Sequence, residues 1–210
     1  MSSSLENEKT ELSRILHKIG AIRFGTFKLT SGRTSPYYID LRIVPSFPDA
    51  FSEVCNIYVK LIEAEMGVKS FDRIAGIPTA GIPFASVLAF RLKKPFLYIR
   101  PKARPHGRER RIEGLLMPGD RVLLMDDLIT TGLSLSKAAG AIRAEGGVVS
   151  DTLVLMEREE GGKERLEKDN IKLHYLLTAR EAAKKLLELG SIEEDQFKTI
   201  MRQSKKGQAH

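Results

Sequence analysis

The chain is 210 residues long, with 34 Lys and Arg against 27 Asp and Glu for a formal charge of +7, and 42% of its residues are hydrophobic. That length suits one domain with a substantial core, and no apolar run approaches the ~20 residues that cross a bilayer, so a membrane protein is not expected. The single cysteine, Cys55, excludes an internal disulfide, and no Cys/His cluster has zinc spacing. The opening MSSSLENEKTELSRIL is polar and acidic where a signal peptide has a basic start and an apolar centre, and a cytoplasmic location is expected.

In chain order, Leu12, Ile15, Leu16 and Ile19 recur at spacings of three and four and predict an amphipathic helix over residues 6–19. Residues 24–42, FGTFKLTSGRTSPYYIDLR, alternate with a period of two about a Ser-Gly turn. Pro36 confines any strand there to an edge or a start, which predicts a hairpin beside the main sheet rather than within it. A second helix is expected over residues 49–66, with Cys55 packed on its apolar face. Apolar strand-like runs then alternate with helical stretches: 73–77 and 81–92, 96–99 and a basic loop, 121–125 and 134–145, 148–156 and onward to 171–177. Strands alternating with helices of ten or more residues predict βαβ units, hence an α/β fold with a mainly parallel central sheet and helices on both faces. Residues 181–189 read as a helix. The expected organisation is one domain over 1–197, with an N-terminal helix and hairpin in 1–45 and the core in 46–197, then a polar, basic, disordered tail over 198–210.

Ligands of such folds sit beyond the carboxyl ends of the strands. There the strongest motif is VLLMDDLITTG over residues 122–132. Four apolar residues put Asp126 and Asp127 at a strand end, and Thr130, Thr131, Gly132 and Ser134 line a strand-to-helix turn with hydroxyls and free backbone N–H groups. A helix cap needs one such residue; two acids with four cradle residues suit a phosphate seat better. Carboxylates beside a phosphate seat must face sugar hydroxyls or a hydrated magnesium ion, which implies a ligand with a phosphate and a ribose diol. Neither G-x-G-x-x-G opening a helix nor G-x-x-x-x-G-K-[ST] occurs, which argues against dinucleotide binding and P-loop chemistry. Residues 100–114, RPKARPHGRERRIEG, hold six Arg and Lys against two Glu, a net +4 of the chain's +7. Two prolines, two glycines and no apolar periodicity predict a mobile loop. Without interleaved aromatics or a basic recognition helix it suits a small polyanion better than nucleic acid.

The 122–134 motif resembles the phosphoribosyl pyrophosphate (PRPP) binding motif of type I phosphoribosyltransferases. Four further segments narrow the resemblance to the orotate phosphoribosyltransferases: FKLTSG (27–32) with SPYYIDLR (35–42), AGIPTAG (75–81), the basic loop, and MEREEGG (156–162). The resemblance implies a type I phosphoribosyltransferase fold with a small N-terminal hairpin hood, and transfer of phosphoribosyl from PRPP to orotate, giving orotidine 5′-monophosphate and pyrophosphate in de novo pyrimidine synthesis. It further implies a homodimer whose basic loop reaches the neighbouring subunit's site, and Mg2+ held mainly through PRPP and waters, with no direct protein ligand assigned.

By the same resemblance Asp126 and Asp127 hold the ribose hydroxyls. Leu128 and Ile129 join the PRPP site, and Thr130, Thr131, Gly132, Leu133 and Ser134 seat the 5′-phosphate. Thr79 and Ala80 form a short pyrophosphate loop, and Arg100, Lys102, Arg104 and His106 meet the pyrophosphate, with Arg104 and His106 joining Asp126 and Asp127 as catalytic. Orotate is expected against Lys28, Tyr38, Ile39, Thr130 and Arg158, the last pairing its fork with the ring carboxylate. The chain departs from the family pattern at Thr30, Ala80, Pro101 and Arg104, where relatives often carry lysine. Arg104 keeps the charge but cannot lose a proton, so it serves only if that group acts by charge. Three other readings remain at this level. One is a phosphoribosyltransferase for another nucleobase; one is a PRPP-sensing, nucleic-acid-binding regulator; one is a receiver-type domain, which explains the acid pair but not the cradle or loop.

Overall fold

The structure, a computed structural model, describes residues 5–28, 34–100 and 111–206. A helix, α1 (Glu6–Lys18), precedes an antiparallel hairpin of β1 (Ile22–Lys28) and β2 (Thr34–Ile39), which forms its own two-stranded sheet. The hairpin keeps Tyr37 inward and Tyr38 on the opposite side, as strand alternation requires. A 3-10 turn over Leu41–Ser46 is opened by Asp40, whose carboxylate accepts from the Arg42 N–H, and leads into α2 (Pro48–Glu65). Proline at the head of α2 costs no hydrogen bond there.

The core then alternates as the sequence pattern predicts: β3 (Arg73–Gly76), α3 (Gly81–Leu92), β4 (Phe96–Ile99), β5 (Ile112–Glu113), β6 (Val122–Met125), β7 (Leu128–Ile129), α4 (Leu133–Ala144), β8 (Asp151–Glu157), α5 (Gly162–Lys168), β9 (Lys172–Thr178), α6 (Ala179–Glu188) and α7 (Glu194–Lys206). All pairings in the seven-stranded sheet are parallel except β4 with β5. The continuous apolar run of β6 reflects burial on both faces. Leu123 and Met125 join the core shared with α1, α2, α3 and α6, while Val122 and Leu124 join a second core with Leu135, Ala138 and Ile142 of α4 and Leu166 of α5. Cys55 is packed within the first of these.

Two expectations change. The basic segment does not run as loop to residue 114, because β5 returns antiparallel along β4 and pairs Tyr98 with Glu113. The stretch expected as a disordered tail from residue 198 is, as far as residue 206, part of α7. Phe197, Ile200 and Met201 recur at three and four, and Ile200 is buried against the core. The surrounding Lys, Gln and Ser hide that stripe in an average of composition. Helix α6 starts on a capping box, Thr178 accepting from the Glu181 N–H at 3.2 Å while Glu181 accepts from the Thr178 N–H at 2.7 Å.

Candidate active site

The site grows from an interruption in one strand edge. Strand β6 pairs the first half of β8 (Met125 with Leu153) and β7 pairs its second half (Leu128 with Met156), while β9 takes the other edge. Between β6 and β7 the chain steps out of the ladder for two residues, Asp126 and Asp127. The step is pinned on both sides by β8, since the Asp126 N–H donates to the Leu153 carbonyl at 3.2 Å and the Leu155 N–H to the Asp127 carbonyl at 3.0 Å. Each carboxylate also takes the next amide, Asp127 N–H to Asp126 Oδ1 at 3.0 Å and Leu128 N–H to Asp127 Oδ1 at 2.8 Å. Burial pushes both carboxyls above the usual range, and for Asp126 the charge of Asp127 adds to it.

The segment after β7 turns through Thr130 and Thr131 to Gly132, which holds a left-handed φ of 73° and starts α4. Gly132 is needed there for its φ, and also because a Cβ would come within 2.9 Å of the Gly162 carbonyl. Gly162 in turn lies so close that its own Cβ would meet the Thr130 carbonyl at 2.5 Å. Arg165 completes the backing by donating to the Thr131 carbonyl at 2.8 Å. Gly162 and Arg165 thus pack against a turn whose residues line a cavity.

That cavity, about 230 Å³, brings together Thr79, Ala80, Asp126, Asp127 and residues 128–135. Two loops at neighbouring strand ends therefore face one space, one ahead of α3 and one ahead of α4, each ending in a helix N-terminus. Gly81 lets the first loop close on the acids: a Cβ there would meet the Met125 carbonyl at 2.5 Å and Asp126 Cα at 2.9 Å. The Pro78–Thr79 peptide is cis. A larger hollow, about 380 Å³ between α1 and the head of α2, shares no residue with the strand ends.

Of the other expected residues, Arg158 follows β8 and is tied to this loop by its N–H, which donates to the Ile129 carbonyl at 3.1 Å. Its guanidinium lies over the Tyr37 ring at 5.5 Å and pairs with Glu160 at 2.8 Å. Tyr38 and Ile39 stand on the hairpin outside the cavity lining, with Tyr38 Oη 3.4 Å from Asp40. Lys28 ends β1, its backbone paired with Thr34. Arg100 follows β4 and pairs with Glu113 at 3.2 Å. Lys102, Arg104 and His106 lie outside the described residues. Four participants escape a reading of the sequence. Tyr37 hides behind its neighbour in a Tyr-Tyr pair, and only the alternation of β2 separates them. Arg165 and Gly162 sit in a charged run that reads as surface. Tyr58, which donates to the Asp126 carbonyl at 2.7 Å, belongs to an apolar helix stripe 68 residues away.

A family model described as "Phosphoribosyl transferase domain" matches residues 52–174. The chain is 43% identical over 191 residues to an orotate phosphoribosyltransferase of Cenarchaeum symbiosum, covering 91% of this chain and 94% of that one. It is 42% identical over 177 residues to that of Saccharolobus solfataricus, covering 84% and 88%. Among solved structures, the orotate phosphoribosyltransferase of Aeropyrum pernix matches with a TM-score of 0.71 at 33% identity, over 85% of this chain and 99% of that one. The UMP synthase of Leishmania donovani matches with a TM-score of 0.84 at 30% identity, and 96% of this chain spans 43% of that longer one. Fold, strand-end cavity and relatives agree that the chain belongs to the orotate phosphoribosyltransferase family of phosphoribosyltransferases.

Proposed function

We infer that the chain joins orotate to PRPP, releasing pyrophosphate and forming orotidine 5′-monophosphate. The observation that carries this is one cavity lined both by an acid pair, Asp127 buried and Asp126 half-buried, and by a hydroxyl-rich turn at a helix head, opposite a second strand-end loop. In the reaction the bond from the anomeric carbon to the pyrophosphate oxygen breaks, its electron pair leaving with pyrophosphate. A ring nitrogen of orotate supplies the pair for the new bond.

The turn over 130–134 seats the 5′-phosphate on backbone amides and the hydroxyls of Thr130, Thr131 and Ser134. Asp126 and Asp127 accept from the two ribose hydroxyls, which fixes the anomeric carbon beneath the base. Their raised proton affinity fits this task, because donors and cations relieve a buried carboxylate pair. Thr79 and Ala80 offer amides to the pyrophosphate. Arg158, already stacked on Tyr37, exchanges Glu160 for the carboxylate of orotate, and the Tyr38–Ile39 backbone, Lys28 and Thr130 complete the base site. Arg100, Lys102, Arg104 and His106 neutralise the departing pyrophosphate, so Arg104 works by charge.

Among the described residues no group of three His, Cys, Asp or Glu forms a metal cage. The donor set fits a hydrated Mg2+ held by PRPP oxygens beside Asp126 and Asp127, where the ion would offset diphosphate charge. A homodimer that shares the basic loop, and a cytoplasmic location, belong to the same reading; no helix among the described residues is long and apolar enough to cross a membrane. The test is orotate consumption followed by ultraviolet absorbance, with uracil, adenine and hypoxanthine in parallel. Loss of the orotate signal that needs both PRPP and Mg2+ is expected. Turnover of another base in place of orotate overturns the assignment.

A further inference from the structure

The Asp126–Asp127 step carries four backbone polar groups in a place with little water, and each needs a partner. Three are met locally: the Asp126 N–H by Leu153, the Asp127 carbonyl by Leu155, and the Asp127 N–H by the Asp126 carboxylate itself. The fourth, the Asp126 carbonyl, accepts from Tyr58 Oη at 2.7 Å. Tyr58 is fully buried on α2 and comes to the step from outside the sheet.

The hydroxyl arrives on a rigid support. The Tyr58 ring packs on Phe84 of α3 at 5.7 Å, and Phe84 meets Phe51 edge-on at 5.4 Å. Helix α3 begins at Gly81, which abuts Asp126. An aromatic side chain with two rotatable bonds, locked by neighbours, fixes its polar tip more tightly than a flexible one. The two bonds to β8 hold the step along one line, so the peptide between the acids is free to tip about that line unless something holds its carbonyl from the other side. Tyr58 holds it.

We propose that Tyr58 is a positioning residue for phosphoribosyl transfer, its hydroxyl setting the tilt of the Asp126–Asp127 peptide and so the direction in which both carboxylates meet the ribose diol. The proposal rests on the reading that these two carboxylates hold the ribose. It adds a residue from a helix that contributes nothing to the cavity lining.

Tyr58→Phe removes the oxygen and keeps the ring. PRPP with Mg2+ is titrated calorimetrically into the unaltered protein, Tyr58→Phe and Asp126→Asn, and kcat and KM are measured for both substrates. The loss of one hydrogen bond at a site that orients two others should weaken PRPP binding about 5- to 10-fold. The KM for PRPP should rise accordingly, kcat should fall, and the KM for orotate should stay within about twofold. Phe84→Leu loosens the aromatic support yet retains the hydroxyl. Its PRPP affinity should fall less than that of Tyr58→Phe at an equal drop in Tm. If Tyr58→Phe melts lower but binds and turns over PRPP like the unaltered protein, Tyr58 is a packing residue and the proposal is overturned. If Asp126→Asn also binds PRPP normally, the ribose reading fails instead, which separates the two.

Discussion

Asp126→Asn should make the unliganded protein more stable while ruining its activity. Both carboxyls of the pair titrate above their ordinary range, chiefly because burial disfavours the charged form. A carboxyl with a raised folded pKa destabilises the fold above that pKa, and the penalty fades as pH falls through it. Asparagine removes one charge and one repulsion, and its carbonyl oxygen can still accept from the Asp127 N–H, now at 3.0 Å. Relief of that burial and repulsion penalty should leave the unliganded variant more stable than the native protein at neutral pH. For a chain of this size each kcal/mol gained raises the Tm by roughly 2–4 °C. The gain should shrink as pH falls from neutral and the native pair takes up its protons, because protonation removes the penalty that the variant relieves. Losing a charged acceptor for a ribose hydroxyl should reduce kcat/KM for PRPP about 10- to 100-fold, using ~1.5–3 kcal/mol for a hydrogen bond to a charged group. Thermal melts across pH, paired with orotate-consumption kinetics, measure both effects. A lowered Tm at pH 7, or a gain that does not depend on pH, refutes the electrostatic argument; unchanged kinetics refutes the functional one.

Gly81→Ala should cost about 1–3 kcal/mol, because its methyl meets backbone atoms of Met125 and Asp126 that cannot swing aside, and differential scanning calorimetry should show the drop. Arg158→Lys should raise the KM for orotate about tenfold or more and leave that for PRPP nearly unchanged, since an ammonium cannot reproduce the fork or the stacking on Tyr37. In steady-state assays Arg104→Lys should retain most of the turnover and Arg104→Ala should lose at least about tenfold, whereas comparable losses in both would argue against a role for charge alone. Chelation of divalent cations should abolish turnover without shifting the Tm of the unliganded protein, and Mg2+ should restore it; a Tm that falls on chelation would indicate a metal cage within the protein.

The order of strands and helices was legible because the core elements are long and their apolar periods unambiguous; α3 and β4 follow the sequence boundaries closely. Two-residue strands such as β5 and β7 carry too few side chains to show a period and exist by virtue of the neighbour they pair with. Helix α7 was obscured by its polar majority, although three apolar residues suffice to dock it. Within the site, the acids and the Thr-Thr-Gly turn announce themselves because their chemistry is concentrated in one stretch. What backs them does not: Gly162, Arg165 and Tyr58 act through backbone contacts made across the fold, and nothing local distinguishes them from a loop glycine, a surface arginine and a core tyrosine.

Strand β8 serves as a ruler for the whole centre. Its first half fixes where β6 stops, its second half fixes where β7 resumes, and Arg158 is the residue just past its end. An insertion or deletion between 125 and 128 would have to break one of those two registers, so the distance between the acid pair and the Thr-Thr-Gly turn is fixed by the sheet itself. Arg158 and the hairpin lie beyond the last graduation. A change at the Arg158 side chain or in the hairpin therefore leaves the spacing of the acid pair and the turn in place.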